Sequence, residues 1–172
     1  MPDLAAALRT VPDFPQPGVV FKDLTPLLAD PALFTALLDR LAAPWAEAGV
    51  THVVGIDSRG FWFGPALAAR LGAGFLPARK PGKLPVPTTT ASYALEYGQD
   101  ALELQGQDLP DGARTLVHDD VIATGGTAAA ACRLVEAAGA VLVGLSFAIE
   151  IAALDGRRQL PEGVPVDVAI PS

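Results

Sequence analysis

Two adjacent carboxylates, Asp119 and Asp120, stand between an apolar pair (Leu116, Val117) and a loop of small residues, Ala123-Thr124-Gly125-Gly126-Thr127. Alanines 128–131 follow directly. The pattern predicts a buried strand ending in the acidic pair, then a glycine-rich turn that feeds a helix N-terminus. Such a turn offers bare backbone N–H groups, and the helix dipole adds positive potential, so together they suit a phosphate. Acids beside a phosphate cradle need another partner, because alone they repel an anion. Sugar hydroxyls are natural donors to them, and a divalent cation would screen the remaining charge. The stretch therefore predicts a sugar-phosphate site. An ordinary strand-to-helix turn uses the same residue types, since acids and glycines are both common at helix starts.

Three other segments carry chemistry. Asp57-Ser58-Arg59-Gly60 follows an apolar strand at 53–56 and precedes a helix, so its amides and guanidinium form a second anion site suited to a pyrophosphate. Arg79-Lys80-Pro81-Gly82-Lys83 places three of the chain's 12 basic residues in one short run. In a chain of formal charge −7, a cationic cluster just after a strand is the natural place to neutralise a leaving pyrophosphate. Residues 14–23, Phe-Pro-Gln-Pro-Gly-Val-Val-Phe-Lys-Asp, are stiff, because each proline fixes its own φ and restricts the residue before it. Stiff, extended backbone can read the flat edge of a base while an aromatic stacks on its ring. A plain turn and a solvated charge run are the ordinary readings of the first two, though an arginine just before Gly60 and an aromatic helix start fits an anion site better. Taken alone, the third reads as an N-terminal arm packed on the core.

The motifs occur together and in order, and that order resembles the type I phosphoribosyltransferases. Asp119-Asp120 with its glycine loop is similar to the phosphoribosyl diphosphate signature of that family, and Ala-Thr-Gly-Gly-Thr resembles its adenine-using branch. The resemblance runs from about Val11 to Arg158. It implies transfer of phosphoribose from 5-phospho-α-D-ribose 1-diphosphate to adenine, giving AMP and pyrophosphate, with Mg2+ and a homodimeric assembly. It also implies residue roles. Asp119, Asp120, Ala123, Thr124, Gly125, Gly126 and Thr127 would hold ribose 5-phosphate; Ser58, Arg59, Arg79 and Lys83 would hold pyrophosphate. Val20, Phe21, Lys22 and Ile151 would meet adenine, and Glu96 and Tyr97 would lie on a mobile catalytic loop. The chain departs from the family pattern at His118, usually aliphatic, at Lys22, commonly arginine, and at Ile151, commonly leucine. Another purine base, or a non-catalytic regulator that binds the sugar diphosphate, are the alternatives.

The composition sets limits on these readings. The chain has 172 residues, 51% hydrophobic and 18% charged, enough for one domain with a real core. Acidic balance argues against nucleic-acid and acidic-membrane partners. The single cysteine, Cys132, fits a reducing compartment and a packing role, and residues 1–10 lack the pattern of a leader, so a cytoplasmic location is expected. His52 and His118 have no partner at zinc-ligand spacing. Rival signatures fail: Pro77 stands at the third glycine of a dinucleotide motif, Phe61 at the lysine of a Walker A loop, and Ser58 lacks a nucleophile elbow.

Strands are expected at 50–56, 75–79, 114–117 and 141–149, with helices at about 31–48, 61–71 and 127–138. A loop is expected at 81–90, then a hairpin turning on Gly98-Gln99-Asp100. Alternating strands and helices predict an α/β fold: a central, mostly parallel sheet with helices on both faces. A single domain over 1–172 would carry a small N-terminal base-binding hood, about 1–30, and a flexible β-hairpin loop, about 84–104. Ligands of such sheets gather beyond the C-terminal ends of the strands, where each motif falls.

Overall fold

The computed structural model describes residues 2–95 and 98–171. An N-terminal hairpin pairs β1 (Arg9–Pro12) antiparallel with β2 (Val20–Asp23), joined by the proline-rich turn. Two helices follow, α1 (Thr25–Ala29) and α2 (Pro31–Ala42). The Asp30 carboxylate caps α2, accepting from the N–H groups of Ala32 at 2.8 Å and Leu33 at 3.0 Å, and Pro31 fills a position that needs no donor. Then come β3 (His52–Ile56), α3 (Gly64–Leu71) and β4 (Gly74–Ala78). A second hairpin, β5 (Thr89–Leu95) and β6 (Gly98–Leu104), precedes β7 (Arg114–Ile122), α4 (Gly126–Ala137), β8 (Val141–Glu150) and β9 (Val166–Ile170).

Five strands form one wholly parallel sheet in the order β4-β3-β7-β8-β9. Its two faces sort by residue parity, because successive side chains alternate across a strand. Val53 and Leu116 face α1, α2 and α3 with Leu27, Leu37, Leu41, Phe63 and Leu67. Val54 and Val117 face α4 and the second hairpin, with Ala130, Leu134, Leu102 and Leu104. Cys132 lies fully buried in this second layer, where burial pushes its thiol up to about 12, so its role is packing. The expected α/β sandwich is borne out. No helix of the described residues is long and apolar enough to cross a membrane.

Several boundaries differ from expectation. The strand expected to stop at Val117 continues through Asp119 and Asp120 to Ile122, because β8 supplies a parallel partner along that whole length. The helix expected from Phe61 begins at Gly64, after a 3-10 turn at Arg59–Phe61; Pro65, which cannot donate, sits in its first turn. The residues expected to form the hairpin turn are strand instead: Gly98 pairs with Leu95, and Gln99 and Asp100 lie inside β6. The N-terminal hairpin, α1 and β9 were not expected. In β9 the sequence Val-Asp-Val-Ala-Ile hides its edge character, since Asp167 is satisfied by Arg40 at 3.0 Å from α2.

Candidate active site

The acidic pair sits on β7, so its two side chains point to opposite sides of the sheet. Asp119 is half-buried and lines a cleft of about 220 Å³ together with Arg59, Val121, Ala123, Thr124, Gly125 and Thr127. Its Oδ1 accepts the N–H of Asp120 at 2.8 Å. Asp120 turns away and is 2% exposed, with its carboxylate on Nε of Arg59 at 3.0 Å. Burial, with repulsion from Asp120, pushes the Asp119 carboxyl well above the ordinary carboxylate range. Burial raises Asp120 as well, and the Arg59 guanidinium opposes it.

Gly125 caps α4 in a left-handed conformation, φ +83°, and no side chain of the described residues makes a capping hydrogen bond there. Free amides at a helix start are suited to an anion. The loop is braced from behind. A Cβ on Gly125 would run into the Gly156 carbonyl, and one on Gly156 would run into the Ala123 carbonyl. Two backbones meet here with no room for a side chain. The turn that bears Gly156 is tied down by Arg157, whose Nε and Nη2 donate to Glu150 at 2.8 and 2.7 Å.

A cationic group forms around Asp57, at the C-terminal end of β3. Its Oδ2 accepts from Nε of Arg79 at 3.2 Å, Nζ of Lys83 at 3.2 Å and the backbone N–H of Lys80 at 3.4 Å. Burial works against the charge on Asp57, but the donors from Lys83 and Arg79 outweigh it and hold the carboxyl below its ordinary value. The Arg79 guanidinium lies 5.8 Å from the centre of the Phe61 ring. Lys80 points elsewhere, with Nζ on the Tyr93 hydroxyl at 2.7 Å and on Asp100.

A second, apolar cleft of about 80 Å³ opens between the N-terminal hairpin and the sheet, lined by Val20, Phe21, Lys22, Val121, Ile149 and Ile151. Arg59 lines it too. Three residues, Arg59, Val121 and Ile151, therefore belong to both clefts. Phe21 is held edge-on by Phe14, ring centres 5.2 Å apart. The Lys22 ammonium leans away onto Thr10 Oγ1 at 3.1 Å.

The chain is similar to known proteins over nearly its whole length. The model of the phosphoribosyl transferase domain family matches residues 26–161. An adenine phosphoribosyltransferase of Synechococcus sp. (strain JA-3-3Ab) is 55% identical, covering 98% of this chain and 97% of its own. The chain belongs to the adenine phosphoribosyltransferase family. The crystal structure of the Rhodothermus marinus family member has a TM-score of 0.92 and 52% identity, covering 98% of this chain and 96% of its own. That of the Saccharomyces cerevisiae enzyme, complexed with adenine and an imino-altritol bisphosphate, has a TM-score of 0.91 and 43% identity, with 97% and 96% covered.

Within this phosphoribosyltransferase fold, Asp119, Ala123, Thr124, Gly125 and Thr127 gather around one cleft; Gly126 opens α4 without lining it, and Asp120 lies behind Arg59. Arg79 and Lys83 meet at Asp57, outside the lining of either cleft, while Arg59 lines both. Ser58 is exposed and lines neither. Val20, Phe21, Lys22 and Ile151 share the apolar cleft. Glu96 and Tyr97 lie outside the described residues. Of the histidines, His52 bonds Thr51 Oγ1 at 3.0 Å. His118 is fully buried, with neither ring nitrogen in good hydrogen-bond geometry among the described residues. Sequence reasoning missed Asp57 and Gly156. Asp57 was legible only as part of a turn, and nothing near Gly156 in the chain signals a close approach.

Proposed function

We propose that this chain catalyses adenine phosphoribosyl transfer: adenine and 5-phospho-α-D-ribose 1-diphosphate become AMP and pyrophosphate, a purine-salvage route to AMP. The observation that carries the reading is the shared wall of Arg59, Val121 and Ile151 between an amide-and-acid cleft and an apolar slot. A sugar phosphate in the first and a flat base in the second would be adjacent, as the reaction requires. The yeast relative's complex with adenine and a bisphosphate supports it.

In this mechanism the 123–127 loop and the first amides of α4 grip the 5′-phosphate, and Asp119 accepts from the ribose hydroxyls. Val20, Phe21 and Lys22 meet the base along the hood strand and Ile151 packs on its other face. As the glycosidic C–O bond stretches, the ribose gains oxocarbenium character and adenine N9 forms the new bond. Arg59, Arg79 and Lys83, with Ser58 at the same turn, stabilise the negative charge growing on the departing pyrophosphate. Positioning and electrostatics carry most of the acceleration. Glu96 assists proton transfer at the base and Tyr97 covers the sugar diphosphate.

The donor set suits magnesium: the hard carboxylate oxygens of Asp119 line the same cleft as the 123–127 loop. Mg2+ would supply charge neutralisation across the diphosphate and ribose hydroxyls, with Asp119 as the protein's contribution. We read residues 1–172 as one domain with a hood and a flexible loop, acting in the cytoplasm as a homodimer. The test is AMP formation from adenine and phosphoribosyl diphosphate, with and without Mg2+, against hypoxanthine and xanthine. Adenine should be used in strong preference and only with the metal. Absence of AMP, or equal use of the three bases, would overturn the assignment.

A further inference from the structure

Asp57 has no part in the roles above, yet three donors converge on its single Oδ2 atom. We propose that Asp57 is the positioning residue of the diphosphate end, fixing Arg79 and Lys83 from behind while leaving their remaining N–H groups for the ligand. The inference rests on the reading of those two cations as diphosphate ligands.

The geometry separates a positioning carboxylate from a competing one. Arg79 donates to Asp57 through Nε, so its terminal nitrogens are not used by the carboxylate. Among the described residues Nη1 reaches only the Lys83 carbonyl, at 3.5 Å, the outer limit for a hydrogen bond. Among the described residues the ammonium of Lys83 spends one of its three donors. The Asp57 side chain is 5% exposed, whereas those of Arg79 and Lys83 are 33% and 48% exposed. The anchor is therefore interior and the anchored groups face solvent. Phe61 lies against the guanidinium and restricts it further. Arg59 repeats the design, its Nε on Asp120 and its carboxylate partner 3% exposed. On two neighbouring strands an interior aspartate, Asp57 just after β3 and Asp120 near the end of β7, holds an arginine that follows an adjacent strand. Long, rotamer-rich cations lose less freedom on binding when they are already held.

Calorimetry with pyrophosphate and Mg2+, and separately with AMP, tests this on the full chain carrying Asp57→Asn. Pyrophosphate affinity should fall about tenfold or more, the scale of a lost charge-assisted hydrogen bond, and KM for the sugar diphosphate should rise in parallel. AMP affinity and KM for adenine should stay within about twofold, because neither ligand carries the diphosphate. Asp57→Glu, which restores the charge, should recover most of the loss. Unchanged pyrophosphate affinity overturns the proposal. Tighter pyrophosphate binding would mean that Asp57 competes, and a matching loss of AMP affinity would mean that it only supports the fold. If the wild type bound AMP but no pyrophosphate, the diphosphate reading itself would fail, and this inference with it. Should Asp57→Asn not fold, a wild-type complex with pyrophosphate decides: Nε of Arg79 stays on Asp57 with its terminal nitrogens on the ligand, or the proposal is wrong.

Discussion

Asp119 is held in a setting that disfavours its charge. Burial and Asp120 raise its carboxyl, so the folded chain binds that proton more tightly than the unfolded chain does. Stability contributed there is lost as pH rises from the ordinary carboxylate value toward the raised one. Above the ordinary carboxylate range the acid therefore costs stability, which is typical of a group kept for function. Asp119→Asn should raise the melting temperature while lowering turnover at least about tenfold. Calorimetric melting and an AMP-formation assay on the same preparation check both halves; a variant that is active and no more stable contradicts the argument. His118 gives the opposite pH dependence. Burial depresses it to about 4 from 6.5, only partly opposed by the Ser146 backbone. Between those values the unfolded chain takes a proton that the folded chain refuses, so stability falls as pH drops through that window. At pH 5 the loss is about 2 kcal/mol. His118→Leu should flatten the decline in melting temperature between pH 7 and pH 5. A parallel decline in both proteins would remove His118 from the account.

At the scale of elements, the site depends on strand ends and on one tight backbone crossing. The 123–127 loop owes its curvature to Gly125 at positive φ and to Gly156 behind it. Gly156→Ala puts a methyl into the Ala123 carbonyl and must move the loop. We expect weaker binding of AMP and a loss of about 2 kcal/mol, or roughly 5 °C in melting temperature. Unaltered AMP affinity would show that the turn at 155–158 does not brace the phosphate loop. Much at this scale was legible in the sequence. The phosphate loop, the 57–60 turn and the hood segment are each contiguous, and each follows or forms a strand, so local pattern sufficed. What was not legible depends on distant partners. Asp57 gains meaning from Arg79 and Lys83, 22 and 26 residues away. The extension of β7 past Val117 needs β8 beside it, and the division of labour within the acidic pair follows from that extension: Asp119 in the cleft, Asp120 behind Arg59. Gly98 resembled a turn residue, but cross-strand pairing with Leu95 places it in β6.

At the scale of the whole molecule, the two apolar layers meet across β3 and β7, and both clefts open where those central strands end. Composition and strand–helix alternation were enough to anticipate the sandwich; the contact between hood and sheet that creates the apolar cleft was not foreseeable, because it joins Val20 and Phe21 to Ile149 and Ile151 across most of the chain. Under the proposed reaction, the partition formed by Arg59, Val121 and Ile151 has a further effect. AMP is the covalent union of the two guests, and tethering converts the second docking event into an intramolecular one. Titration should find AMP held at least about a hundredfold more tightly than adenine or ribose 5-phosphate alone. An enzyme so arranged would be slowed by its own finished nucleotide, and escape of that nucleotide, more than bond-making, would set the pace of each cycle.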